Sequence, residues 1–102
     1  MKNMIITELV KFETKPEVTT EQLFSETDKI NDFLKKQDGF IDYELIKSIK
    51  SNECYLIYHI ENMEKLRVAG EKIRNIKLFD VLLPLIQVGS LSFTFYYQQK
   101  KF

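Results

Sequence analysis

Residues 53–66 read ECYLIYHIENMEKL, and they hold the pattern that decides the fold. Apolar and aromatic residues dominate from Glu53 to Glu61, which predicts a β-strand. Asn62 is a favourable helix N-cap and Glu64 follows in the first turn, so a helix should begin at once. One face of the strand carries Cys54, Leu56, Tyr58 and Ile60, and the other carries Tyr55, Ile57 and His59. Both faces are mainly apolar, so we expect this strand to be covered on both sides.

The elements on either side complete a βαββαβ order. We predict strands over residues 4–13, 41–49, 53–61 and 91–98, a first helix over 20–38 and a second helix from Asn62. Thr19 and Gln22 have the spacing of a capping box at the start of the first helix, and Gly39 is placed to terminate it. The second helix should break near Asn75, and a short apolar helical segment should follow and stop at Pro84.

This order predicts an α+β fold, with one domain over residues 1–102. Its four-stranded antiparallel sheet should carry both helices on one face, with the third strand between the first and second. Two helices leave the other sheet face open, yet the strands are apolar on both faces. A large open apolar face is rare on a monomer, so we expect a homodimer through the face opposite the helices.

Composition narrows the possible partners. Lysine plus arginine equals aspartate plus glutamate, at 15 each, so no net positive field favours nucleic acid or an acidic membrane. The start of the chain has no apolar run long enough for a membrane span. The single cysteine, Cys54, excludes an internal disulfide and a thiolate metal cluster, and it fits the cytoplasmic location that we expect. No phosphate-binding glycine loop or metal-ligand spacing occurs.

Several stretches together resemble one known family. They are IITELVKF (5–12), NDFLKKQDGF (31–40), YELIKS (43–48), YLIYHIENMEKL (55–66) and LFDVLLPLIQVGSLSFTFYY (78–97). Through many weak matches over essentially the whole chain, they resemble the antibiotic biosynthesis monooxygenase-like branch of the dimeric α-β barrel superfamily. The resemblance implies a ferredoxin-like protomer, two sheets facing each other across a dimer, and a small pocket between each sheet and the edge of its helices.

The resemblance leaves the activity open, because such proteins include cofactor-free oxygenases, haem-degrading enzymes, isomerases and proteins without a known role. The chain departs from the family in having Ile60 where a tryptophan is common, and it has no tryptophan at all. Haem-degrading members use an asparagine near the position of Leu9 and a tryptophan and a histidine on the second helix, which here reads KLRVAGEKIRN (65–75). We therefore expect no haem binding and no cofactor.

Two residues are candidates for acid–base chemistry. His59 is the single histidine, and it is either a base in the pocket or a hydrogen-bonded residue at the dimer interface. Its neighbours Tyr55 and Ile57 would give it apolar surroundings that keep the imidazole neutral. Glu8 lies within an apolar strand, and it either faces the pocket as a base or pairs with a lysine at a strand edge. The pattern of the first strand does not decide between these places.

Tyr58, Tyr96, Leu9 and Thr94 are the expected substrate-binding residues, although aromatic strand residues are also typical of plain core or interface. Two functions follow as hypotheses. The first is a cofactor-free, monooxygenase-like enzyme in which His59 or Glu8 deprotonates a small apolar or aromatic compound that then reacts with oxygen. The second is a non-catalytic dimeric module that binds a small molecule or a partner.

Overall fold

A computed structural model describes residues 4–102 of the chain. In order, its elements are β1 (Ile6–Glu13), α1 (Thr20–Leu34), β2 (Phe40–Lys47), β3 (Glu53–Ile60), α2 (Met63–Ile76), a 3₁₀ segment (Leu78–Leu85) and β4 (Ser92–Tyr97). The strands form one antiparallel sheet in the order β2-β3-β1-β4. The predicted βαββαβ fold is confirmed, and so is the place of β3 between β1 and β2.

The start of α1 follows the predicted capping box. The hydroxyl of Thr19 accepts a hydrogen bond from the backbone N–H of Gln22 at 3.1 Å, and the Gln22 side chain accepts one from the N–H of Thr19 at 2.8 Å. The helix ends at Leu34, earlier than the predicted Asp38. The chain tightens there, because the N–H of Gln37 bonds to the carbonyl of Leu34 at 2.9 Å. Gly39, at φ +89°, then turns it into β2.

The helix side of the sheet carries the hydrophobic core. Alternate residues of β1 and β3 point towards the helices and are buried, whereas their neighbours on the opposite face are only partly covered or exposed. The core side chains on the two strands are Ile6, Val10, Phe12, Cys54, Leu56, Tyr58 and Ile60. Those from the helical elements include Leu23, Ile30, Leu34, Ala69, Leu78, Phe79 and Leu82. Cys54 is a buried thiol in this core, as predicted, and burial raises its pKa.

Strand β2 and the segment around Pro84 also differ in part from the prediction. The alternation in β2 stops at Lys47, and Ile49 is fully exposed beyond it. The pairing of β2 with β3 shifts between Phe40 and Asp42, so the alternation there has one extra residue. Pro84 lies inside the 3₁₀ segment, which continues to Leu85, because the fixed φ of proline fits a helical turn.

The helical layer covers the sheet unevenly. The main contacts of α1 and α2 with the sheet are to β2 and β3, respectively. On β4, Phe93 and Phe95 pair with Val10 and Glu8 of β1, so they also point to the helix side. They nevertheless remain 43% and 50% exposed. The edge of the helical layer therefore leaves a gap over β1 and β4, and the cavity described next occupies this gap.

Candidate functional site

A cavity of about 720 Å³ lies between the sheet, α2 and the 3₁₀ segment. Pockets that hold drug-sized ligands range from about 300 to 1,000 Å³. The sheet contributes the floor, and α2 with the residues after it forms the wall and the rim. The lining residues are Glu8, Tyr58, Phe93 and Phe95 from the sheet, Met63, Leu66, Arg67, Gly70, Ile73 and Arg74 from α2, and Lys77, Leu78, Phe79 and Asp80 after it.

Glu8 is the carboxyl group on the floor of this cavity. It occupies a core-facing position of β1 between Ile6 and Val10, and it is only 4% exposed. Its direct strand partners are Tyr58 on β3 and Phe95 on β4. No salt bridge links Glu8 to any residue between 4 and 102. Desolvation by burial raises the pKa of Glu8 from its ordinary 4.5 to about 8.

This environment gives Glu8 two usable protonation states. With a pKa of about 8, the carboxyl is mostly protonated at neutral pH and ionises on a small rise in pH. A general base works best when its pKa lies near the working pH. A strongly raised pKa in a cleft is also typical of functional carboxylates. The first reading of Glu8, as a residue that faces the pocket, is therefore the one that agrees with the geometry, and the lysine-paired strand edge is wrong.

Tyr58 lies beside Glu8 on the cavity floor. It is 1% exposed, although its side chain forms part of the lining. The rest of the inner surface is aromatic or aliphatic, and the rings of Phe79 and Phe93 meet edge to face with centroids 5.2 Å apart. An apolar surface with few polar groups is typical of small-molecule sites, in which those few groups fix the orientation of the ligand.

The other four predicted site residues do not line the cavity. His59, Leu9, Thr94 and Tyr96 lie on the sheet face that is opposite the helices. Nδ1 of His59 lies 2.5 Å from Oδ1 of Asp42 on β2. The predicted place of His59 in the pocket is therefore wrong, because β3 alternates and Tyr58 takes the cavity face. The surroundings of His59 are also not purely apolar as predicted, because the carboxylate of Asp42 contacts its ring.

The sequence prediction missed most of the cavity wall. Met63, Arg67 and Arg74 were not named as candidates, although helical spacing places them on the same side of α2 as Gly70. Phe93 and Phe95 fall within the predicted fourth strand, but their exposure depends on where α2 crosses the sheet. Leu66, Ala69 and Ile73 form an apolar stripe along α2, and a search for helix positions next to this stripe would have found the two arginines.

Within residues 4–102, no three histidine, cysteine, aspartate or glutamate side chains lie close enough to hold a metal ion. None of the helices in that range has the length and apolar character needed to cross a bilayer.

Comparisons with solved structures place this fold among known proteins. A variant of SnoaB, a cofactor-independent oxygenase from Streptomyces nogalater, matches with a TM-score of 0.79 and 14% identity over 95% of each chain. The monooxygenase ActVA-Orf6 of Streptomyces coelicolor, in complex with nanaomycin D, matches with a TM-score of 0.78 and 17% identity over 97% of this chain and 91% of that one. A dimeric ferredoxin-like protein of unknown function from Thermobifida fusca matches with a TM-score of 0.72 and 9% identity over 94% and 92%.

The protein has the ferredoxin-like fold of the antibiotic biosynthesis monooxygenase-like proteins. No protein-family model matches the sequence, and a comparison with proteins of curated function found no match. At identities below 20%, the structural likeness establishes the fold, and the resemblance that the sequence showed is confirmed at that level. Proteins of one fold carry out many different functions, so the fold alone assigns no activity.

Proposed function

We propose that the protein is a cofactor-free, monooxygenase-like enzyme that acts on a small apolar or aromatic compound, with Glu8 as its base. The observation that carries this proposal is the buried carboxyl of Glu8 on the floor of an apolar cavity of about 720 Å³. A carboxyl without an ion-pair partner costs free energy in such a place, and a catalytic role would account for its presence. The fold that the chain shares with two oxygenases supports the same reading.

The proposed reaction begins with a proton transfer. Ionised Glu8 removes a proton from an activated ring CH₂ group of the substrate and leaves an electron-rich carbanion. The carbanion transfers one electron to O₂, and the resulting radical pair combines to a peroxide anion at the same carbon. The protonated Glu8 gives its proton to the distal peroxide oxygen, which forms the hydroperoxide. Ionised Glu8 then removes the remaining proton of that carbon, the electrons of the C–H bond form the C=O bond, and the O–O bond breaks to release hydroxide, which takes the proton back from Glu8 and leaves as water. The balance is CH₂ plus O₂ to C=O plus H₂O.

Tyr58 is the proposed orienting residue. It is the direct strand partner of Glu8 and shares the cavity floor with it. A hydroxyl next to the base can donate a hydrogen bond to a ring oxygen of the substrate, where negative charge develops after proton transfer. Removing one donor of this kind costs an enzyme about 10²- to 10³-fold in kcat.

The experiment uses dithranol, a tricyclic anthrone with an activated ring CH₂ group, as the probe substrate. Oxygen uptake above the uncatalysed rate is measured for the wild type, Glu8→Gln and Tyr58→Phe. We expect Glu8→Gln to lower the catalysed rate by at least about 100-fold, because it removes the general base, and Tyr58→Phe to lower it by about 10²- to 10³-fold. Glu13→Gln is the matched control, because Glu13 is an exposed carboxylate of the same strand. Catalysed uptake that survives in Glu8→Gln would contradict the proposed base.

Binding without turnover is the alternative outcome. In this outcome the protein binds dithranol saturably, and loses that binding in a cavity-filling variant, without any catalysed oxygen uptake. The second hypothesis, a non-catalytic binding module, then replaces the enzyme. The two hypotheses therefore differ in one measurement, the oxygen uptake of the wild type.

We also propose that the chain forms a homodimer through the open face of its sheet. The centre of that face carries Leu9, Tyr55 and Ile57, and Tyr96 on the edge strand is 52% exposed. Asp42 and Glu44 on β2 and Lys11 on β1 border this apolar centre, as charged residues commonly do at an interface rim. In this arrangement the pair of His59 and Asp42 lies at the interface, which is the second role that we considered for the histidine.

A further inference from the structure

The rim of the cavity carries an excess of positive charge. Arg67, Arg74 and Lys77 all contribute to the lining, and Asp80 is the one acidic residue at the rim. Arg67 and Arg74 are two helical turns apart, or about 10 Å along the axis, so both lie on the same side of α2. The aromatic floor and the cationic rim thus form two chemically different ends of one cavity.

The rim cations form no ion pair within the described part of the chain. Among residues 4–102, none of Arg67, Arg74 and Lys77 takes part in a salt bridge. Glu71 lies four residues after Arg67 and three before Arg74, a spacing at which helical ion pairs commonly form, yet it pairs with neither arginine. By contrast, Lys65 on the other flank of α2 binds both Asp38 and Glu61.

The placement of Arg74 brings its charge to the cavity mouth. Its Nη1 atom lies 3.4 Å from the position that a Cβ atom of residue 70 would occupy, so the guanidinium lies back across Gly70, which itself lines the cavity. Arg74 also lies in the last turn of α2, where the helix dipole stabilises a cation. The dipole does not account for Arg67, which lies in the middle of α2.

From this geometry we infer that the cavity selects amphipathic acids: compounds with an apolar, ring-sized body and one anionic group, such as a carboxylate, at the end that reaches Arg67 and Arg74. The inference rests on the proposed function, because it assigns the substrate class of the same cavity. The body of the ligand contacts Phe93 and Phe95, and its acidic C–H group meets Glu8. Its anionic group stays at the rim, where the guanidinium groups bind it and water still reaches it.

Two fluorescent probes test this inference because they differ in a single anionic group. Anilinonaphthalene sulfonate carries a sulfonate, and N-phenylnaphthylamine has the same rings without it. We expect the wild type to bind the sulfonate more tightly than the neutral probe at low salt. In the double variant Arg67→Gln/Arg74→Gln, the affinity for the sulfonate should fall roughly tenfold, as two solvent-accessible ion pairs predict. The affinity for the neutral probe should not change.

Two further variants control the experiment. Lys36→Gln/Lys72→Gln removes the same total charge from exposed positions outside the cavity, and it should bind both probes as the wild type does. Gly70→Leu fills the cavity from α2, where the backbone accepts a side chain and only the flexible end of Arg74 lies nearby. It should weaken the binding of both probes.

The outcomes separate the two proposals. If Gly70→Leu blocks the binding of both probes but Arg67→Gln/Arg74→Gln lowers the two affinities equally or not at all, the anionic substrate class is overturned. The cavity then remains the ligand site on which the proposed function rests. If both probes bind Gly70→Leu as tightly as the wild type, the cavity is not the ligand site, and the proposed function falls together with the inference.

Discussion

The replacement of Glu8 by glutamine should change how the stability of the protein depends on pH. The folded protein holds the pKa of Glu8 at about 8, against its ordinary value of 4.5, because burial disfavours the carboxylate. The unfolded chain therefore releases this proton more readily than the folded one. The contribution of Glu8 is most favourable below pH 4.5 and is lost as the pH rises through 8.

The size of the loss follows from the two pKa values. They differ by about 3.5, and each unit of pKa corresponds to about 1.4 kcal/mol, so full ionisation of Glu8 lowers the free energy of unfolding by about 5 kcal/mol. Most of this loss, about 3 to 4 kcal/mol, falls between pH 5 and pH 8. A domain has a total stability of about 5 to 15 kcal/mol, so the effect is large enough to measure.

Urea denaturation at pH 5, 6, 7 and 8 measures the effect at one fixed chain concentration, which a dimer requires. Glutamine has nearly the same shape and cannot ionise, so Glu8→Gln should lack this part of the pH dependence. Its stability relative to the wild type should increase by about 3 to 4 kcal/mol from pH 5 to pH 8. Glu13→Gln, in an exposed position of the same strand, should follow the wild type. A difference between Glu8→Gln and the wild type that stays constant across this range would refute the reasoning.

The remaining predictions concern assembly, packing and haem. Sedimentation at micromolar concentration should give twice the 12.2 kDa chain mass, and Ile57→Lys, but not the exposed Ile49→Lys, should give a folded monomer. A monomeric wild type would contradict the proposed dimer. Leu56→Ala should lower the free energy of unfolding by about 2 to 5 kcal/mol, because Leu56 is fully buried; a loss below about 1 kcal/mol in urea would show that the core is loose there. Haem titration should give no saturating Soret shift, and one haem bound per chain would show that prediction to be wrong.

Local patterns were enough to predict the order of the elements. The capping box at Thr19, the N-cap at Asn62 and the alternation in β3 each depend on residues close in sequence, and the structure has all three. The end of α1 was predicted too late, because Gly39 marks where the chain turns into β2, and the tighter turns after Leu34 lie between the helix and that glycine. Boundaries of this kind depend on small differences in backbone energy.

The cavity was harder to predict from the sequence than the order of the elements. In β1, apolar residues occupy both faces, so the pattern alone left the direction of Glu8 undecided, and pairing with β3 was needed to place it beside Tyr58. The alternation of β3 already showed that Tyr58 and His59 could not both line the cavity, because adjacent residues of a strand point to opposite faces. The rim depends on where α2 crosses the sheet, which no local pattern specifies.

The same desolvation that raises the pKa of Glu8 should also drive the proposed proton transfer. An ionised Glu8 holds its negative charge on two oxygen atoms in an apolar cavity, where such a concentrated charge is costly. A conjugated substrate that gives its proton to Glu8 spreads the charge over its rings and towards the rim, where Arg67 and Arg74 lie. The transfer leaves the number of negative charges in the cavity unchanged, and the charge that moves from Glu8 to the substrate is more dispersed afterwards. Burial therefore favours the neutral carboxyl and the substrate anion, which is the species that has to react with oxygen.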